Sequence, residues 1–271
     1  MGKLKKLLKG LSLLIRKPYL INAVIHHPDV FEDRFQKKYG VHYEKGLKQV
    51  DLKTIFPEQE VKVSPYSYLD GSSLPTDFAL LISLCKKYNV KDYLEIGTWR
   101  GASAANVAKY VERCYSLNLP DDEIKALGGS DNYVDSHRFF SKEIENVYHL
   151  FGNSRTFDFA QLETKFDLIF VDGDHSYEAV KKDTATIFQL LKNEDSIIVW
   201  HDYAFSPENV RHEVLMGILD GCPPEKQGQL RHVSNTKCAV YLPKNIPSNT
   251  LEAYALPEKY FEVNLKIKGI E

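Results

Sequence analysis

The chain has 271 residues, 43% of them hydrophobic and 27% charged, with 35 Lys and Arg against 37 Asp and Glu for a formal charge of -2. This excludes a disordered or fibrous protein and leaves room for one good-sized core plus an appendage. The charge gives no global reason to expect a nucleic acid partner. Four widely spaced cysteines, Cys85, Cys114, Cys222 and Cys238, form no C-x-x-C pair. They are expected as buried free thiols in a reducing, cytoplasmic compartment rather than as disulfides or zinc ligands. No run approaches the roughly 20 apolar residues that spanning a bilayer requires.

Residues 3–17 alternate Leu4, Leu7, Leu8, Leu11, Leu14 and Ile15 with Lys3, Lys5, Lys6, Lys9 and Arg16 at helical spacing, and Pro18 ends the pattern. Such a basic amphipathic helix suits peripheral contact with the inner face of a cell membrane through residues 1–17. Packing on its own domain or on a second copy of the chain suits it equally. From Tyr19 to about Leu74 the pattern is irregular, and residues 1–75 read as an N-terminal extension docked on the core. His26-His27 next to Pro28 lacks a third metal ligand at useful spacing and reads as a surface turn.

Pro75-Thr76-Asp77 looks like a helix start, with Thr76 as cap and Asp77 favouring the first turn. Phe78, Leu81, Ile82 and Cys85 then recur at helical spacing. Beyond it, strands are predicted at 93–97, 114–119, 147–152, 166–172 and 196–201. Helical stretches are predicted near 102–112, 133–144, 176–192 and 207–219. The run 230–242 has a turn-like Ser-Asn-Thr centre and predicts an antiparallel hairpin. The expectation is an α/β fold: a Rossmann-like, doubly wound, mostly parallel sheet with a C-terminal hairpin behind a mainly helical or irregular extension. Its core spans 76–243, followed by a tail from 244 to 271.

In open parallel sheets the ligand lies beyond the carboxyl ends of the strands, where strand order reverses. Those ends here carry Glu95-Ile-Gly97, Asn118, Gly152-Asn153-Ser154, Asp172-Gly-Asp174-His175 and His201-Asp202. Gly97 and Gly101 bracket a turn where bare backbone N–H groups can approach a ligand closely. The spacing E-x-G-x-x-x-G has one glycine fewer than the G-x-G-x-x-G of dinucleotide sites, which disfavours a nicotinamide-dependent dehydrogenase. Asp172, Asp174, His175, His201 and Asp202 can converge on one point, and several carboxylates together call for a cation. Capping of the following helix is the simpler account of Asp172 and Asp174, but it leaves the Asp at the next strand end unexplained.

E-I-G-T-W-R-G (95–101) resembles the first motif of class I S-adenosylmethionine-dependent methyltransferases. F-D-L-I-F-V-D-G-D-H-S-Y-E (166–178) and I-I-V-W-H-D-Y (197–203) resemble the later motifs of methyltransferase family 24 and the sugar O-methyltransferases. The resemblance implies O-methylation of a hydroxyl on a sugar, glycan or other small molecule, including lipid-linked ones. It implies that Glu95, Gly97, Thr98 and Gly101 hold the methionine end of S-adenosylmethionine, with Asp172 beside them, and that Gly152, Asn153 and Ser154 line the adenine. Asn118 stands where the family usually has an acid binding both ribose hydroxyls. The resemblance further implies Asp172 and Asp202 as ligands of Mg2+ or Mn2+, His201 in the place of another acidic ligand, and Asp174 as the base, with His175 and His201 as alternatives. A nucleoside-binding scaffold protein retaining the fold without turnover is the alternative reading.

Overall fold

A computed structural model describes residues 2–25, 27–56, 60–243, 246–250 and 252–269, so His26 and Pro57 lie outside the described residues. In chain order the helices are α1 (Lys3–Arg16), α2 (Ile21–Ile25), α3 (Pro28–Tyr43), α4 (Leu52–Ile55), α5 (Pro75–Tyr88), α6 (Ala102–Val107), α7 (Asp121–Ala126), α8 (Asp131–Ser136), α9 (Tyr177–Ile187) and α10 (His212–Gly221). The strands are β1 (Gln49–Val50), β2 (Asp92–Ile96), β3 (Arg113–Asn118), β4 (Val147–Phe151), β5 (Leu168–Val171), β6 (Ile197–Trp200), β7 (Ala204–Ser206), β8 (Asn209–Val210), β9 (Leu230–Val233) and β10 (Ala239–Tyr241).

Eight strands form one sheet in the order β1-β9-β10-β6-β5-β2-β3-β4, while β7 and β8 pair apart from it. The strands β6, β5, β2, β3 and β4 run parallel, and β10 is antiparallel to both β6 and β9. This is the doubly wound sheet with a C-terminal hairpin that the alternating apolar runs predict. The chain steps outward from β2 through β3 to β4 and then returns to lay β5 on the other side of β2. Strand order therefore reverses between β2 and β5, which makes that crevice the ligand-binding position of such sheets.

Alternation along the strands splits the core in two. Leu94, Ile96, Ile169, Val171, Ile198 and Trp200 share a buried cluster with α9 and α10, whereas Tyr93, Phe170, Ile197 and Val199 pack with α4, α5 and α6. Fully buried parallel strands need apolar residues on both faces, which is why these segments read as continuous runs. All four cysteines are buried and free, as expected.

The extension docks at several points. Phe35 of α3 packs on His212, and Asp220 of α10 accepts hydrogen bonds from Lys38 at 2.7 Å and from Tyr39. Strand β1 adds to the sheet edge parallel to β9, and Leu47 N–H donates to the Tyr203 hydroxyl at 2.9 Å. His27 is exposed and caps α3, its Nδ1 accepting from Asp29 N–H at 3.3 Å.

Three local expectations change. Thr76 does not cap α5; the Asp77 carboxylate accepts the Leu74 N–H at 2.7 Å instead, because α5 begins at Pro75 and places Asp77 where it can reach back. The helix expected over 133–144 stops at Ser136. Arg138 takes φ of 62° and its N–H goes to the Trp99 carbonyl at 2.8 Å, so tertiary contact with the glycine turn overrides helical propensity. The helix expected from 207 begins at His212, because the β7–β8 hairpin turns around Pro207, which has no N–H to give.

Candidate functional site

At the reversal point the glycine turn presses directly on the β5 terminus. Gly97 has φ of 90°, and a Cβ there would stand 2.2 Å from the Asp172 carbonyl oxygen and 2.6 Å from Gly173 Cα. Only glycine fits, on both conformational and steric grounds. Gly101 has φ of 74° and faces the Ser141 hydroxyl, so the 138–141 loop closes over the turn. The Gly97 N–H is taken by the Leu117 carbonyl, and the helical ladder of α6 starts only with Ala105 N–H on Gly101. The first-turn donors of α6 thus precede its own bonding pattern.

Glu95 stabilises this turn from beneath. It is wholly buried on the α5 and α6 side, and its carboxylate accepts from Thr98 at 3.0 Å and Tyr93 at 3.1 Å as well as from Ser103. Burial, aided by the Asp172 charge, outweighs these bonds and pushes its pKa up to about 7. Thr98 is buried too, sharing a short hydrogen bond with Ser116. Both residues fix the loop rather than line open space.

Asn118 ends β3, donating through Nδ2 to the Thr98 carbonyl at 3.0 Å and lying 2.6 Å from His137 Nδ1. An amide offers one acceptor oxygen where a carboxylate offers two. Beyond it opens a cleft of about 370 Å³ lined by residues that include Asp121, His137, Arg138, His149 and Phe151. At the end of β4, a Cβ on Gly152 would meet the Phe157 ring at 2.8 Å, and Asn153 accepts from Arg155 N–H, tightening a turn. Ser154 bonds the buried Asp183 carboxylate on α9, whose pKa burial raises to about 6. A larger cleft, about 680 Å³, runs between 154–165 and α9 and includes Ser154 and Arg155 in its lining.

The second constellation assembles around His201, which is almost wholly buried at the end of β6. Its Nε2 is 3.1 Å from Asp77 Oδ2, and its Nδ1 is 3.0 Å from Asp172 Oδ1 and 3.4 Å from Asp202 Oδ1. Burial alone would lower the imidazole pKa, but these three carboxylates raise it well above its usual value. Both ring nitrogens thus face carboxylates, which favours the charged form of the imidazole, although Nδ1 has ion-pair proximity without a well-aligned hydrogen bond. Asp202, at φ of 49°, also meets His175 Nε2 at 3.0 Å and the Lys237 ammonium. Against the cost of burial, the hydrogen bonds from His175, His201 and Lys237 and the charge of His201 hold its carboxyl well below the usual range.

Sequence patterning missed Asp77 and Lys237. Lys237 sits in the β9–β10 turn, where its N–H donates to Asp77 Oδ1 at 2.9 Å while its side chain reaches Asp202. The apolar run after Pro75 disguises Asp77 as a helix-start residue, and hairpin turns commonly carry lysine. Asp174 lies at the rim, half exposed. It accepts Ser176 N–H at 2.9 Å and pairs with Arg155 at 3.3 Å. The first of these bonds reaches the N-cap residue Ser176 itself rather than the first turn of α9, so the helix-capping account of Asp174 does not hold.

Asp172, His175 and Asp202 offer ligand atoms within 4.8 Å of one another, while His201 groups separately with Asp77 and Cys238. Two carboxylates and one imidazole suit a divalent ion that accepts nitrogen, Mn2+ more readily than Mg2+. Lys237 and His201 already neutralise the same carboxylates.

An open doubly wound sheet with a glycine turn and an acidic cluster at its reversal point defines a class of nucleoside-binding α/β domains. Residues 94–203, from β2 to just past β6, match the family model of methyltransferase family 24, described as a methyltransferase domain. No curated protein matches the chain. Among solved structures it is similar to the N-methyltransferase NodS from Bradyrhizobium japonicum, at 16% identity over 60% of this chain and 91% of that one, TM-score 0.39. It is also similar to CalS10, an amino pentose methyltransferase from Micromonospora echinaspora, at 15% identity over 54% and 61%, TM-score 0.38. A Staphylococcus aureus protein assigned as a caffeoyl-CoA O-methyltransferase aligns at 16% identity over 79% and 98%, TM-score 0.44.

Proposed function

We propose that the protein transfers a methyl group from S-adenosylmethionine to a hydroxyl of a sugar, glycan or related small molecule. The observation that carries this reading is the contact of Gly97 with Asp172-Gly173, which sets the glycine turn against a polar cluster holding an oriented imidazole. S-adenosylmethionine supplies a methyl already activated by its sulfonium. The turn at 97–101 would take its methionine end, and Asn118 with the cleft toward Phe151 its ribose and base. The sugar or glycan preference rests on the resemblance of residues 166–178 and 197–203 to sugar O-methyltransferases.

With the methyl activated, the chain has two tasks, holding the acceptor in line and taking its proton. Alignment contributes roughly 7–11 kcal/mol and a positioned base about 10²–10⁴-fold. His175 suits the base role best. Asp202 holds its Nε2, which leaves Nδ1 to accept a proton, and the imidazolium that forms stays beside a carboxylate. His201, with both nitrogens facing carboxylates, orients Asp172 and Asp202 rather than moving a proton. Asp174 is the second candidate, its carboxylate shared with Arg155. Were a divalent ion, Mg2+ or Mn2+, bound instead, Asp172, Asp202 and His175 would hold it, it would lower the acceptor hydroxyl's pKa, and the base role would pass to Asp174.

Calorimetry with S-adenosylmethionine tests the root of the reading, since absent binding rejects it in favour of a scaffold without turnover. With a methyl acceptor in hand, His175→Gln is expected to lose about 10²-fold or more in turnover at unchanged donor affinity. Asp174→Asn is expected to lose less, and the reverse ranking would move the base to Asp174. Because Lys237 and His201 neutralise the carboxylates, prior EDTA treatment is expected to leave turnover largely unchanged.

A further inference from the structure

The helix α1 is fully formed, yet none of its side chains is buried, and its substantial contacts are with the short turn that follows it. Leu4, Leu7, Leu8, Leu11 and Ile15 are 48–81% exposed and, with Leu14, form one stripe along a helix of 14 residues, about 21 Å long. Leu13 alone lies off the stripe. The apolar surface continues past Pro18, where Tyr19, Ile21, Val24 and Ile25 are exposed as well. Leaving so much contiguous apolar surface in water is unfavourable, so a partner is required to cover it.

Charge identifies the partner. Lys3, Lys5, Lys6, Lys9, Arg16 and Lys17 precede the first acidic residue, Asp29, in a chain whose overall charge is -2. Lys6, Lys9 and Arg16 stand opposite the leucine stripe, with Lys5 and Lys3 on its two flanks and Lys17 just past the helix end. A second copy of the same helix would bring like charges together when the stripes met. An anionic bilayer surface accepts the stripe into its acyl boundary and keeps the cations among its headgroups.

We infer that residues 3–25 form a membrane-surface anchor, lying flat on an anionic phospholipid bilayer and tethering the sheet domain to it. The basis is the bare amphipathic surface and its one-sided charge, independent of the reaction catalysed. Among the described residues no helix is long and apolar enough to cross a membrane, so the contact is in the plane of the surface.

Sedimentation of the full chain with vesicles of phosphatidylcholine, with and without 30% phosphatidylglycerol, tests this. Each basic residue near the surface contributes roughly five-fold to partitioning, so anionic vesicles are expected to bind at least about tenfold better, and less so at high salt. The variant Leu4→Gln/Leu7→Gln/Leu11→Gln and the variant Lys3→Gln/Lys5→Gln/Lys6→Gln/Lys9→Gln should each lose most of this binding. The two remove the stripe and the charge separately, so loss of helix in one does not spoil the other. Equal binding to neutral and anionic vesicles, no binding to either, or helix-dependent self-association without vesicle binding would overturn the inference.

Discussion

Glu95 shows how a residue read for one purpose in a motif is placed for another in the fold. In the motif it reads as a ligand contact; in the fold it is a buried carboxyl that ties Tyr93, Thr98 and Ser103 together. With a folded pKa of about 7 against about 4.5 unfolded, the native state binds the extra proton between those values, so stability falls as pH rises from 4.5 to 7. The loss amounts to about 3 kcal/mol. Glu95→Gln keeps acceptor and shape without the charge, and denaturant titrations should show its stability flat over that window and above wild type at pH 8. Gly97→Ala places a methyl against the Asp172 carbonyl at positive φ. It should cost about 2 kcal/mol or more and weaken S-adenosylmethionine binding in calorimetry.

Among the elements, β5, β6, α5 and the β9–β10 hairpin each send one charged group to the same corner, and His201 joins them. His201→Gln leaves buried Asp77 facing a neutral group and is expected to destabilise by about 3–5 kcal/mol near pH 6. The raised folded pKa fixes the sign. The stabilisation is complete below the unfolded value of about 6.5 and fades as pH climbs through the folded one. The stability gap between variant and wild type should therefore narrow in alkaline urea titrations, and a pH-independent gap would count against an imidazolium hub. The alternation of strands and helices, the hairpin and the polar strand ends were legible because period and apolar runs encode them locally. Asp77 and Lys237 were not, since 160 residues separate their hydrogen-bonded partners Asp77 and Lys237 and no spacing rule connects them. Helix ends failed where contact decided them, as when the Trp99 carbonyl draws Arg138 out of α8.

For the molecule as a whole, the Leu47–Tyr203 hydrogen bond has a consequence for where the functional unit begins. Tyr203 directly follows Asp202, so the extension bolts onto the segment that carries the polar corner. The recognisable stretch, 94–203, is thus shorter than what must fold together to make a working site. A chain starting at residue 18 should keep its melting temperature, because α1 buries none of its side chains. One starting at residue 60 loses β1, α3 and the Tyr203 clasp, and should unfold at markedly lower temperature and fail to bind S-adenosylmethionine. Equal melting of all three would make the extension an ornament; the expected step between them makes residues 28–55 an inseparable foundation of the sheet domain.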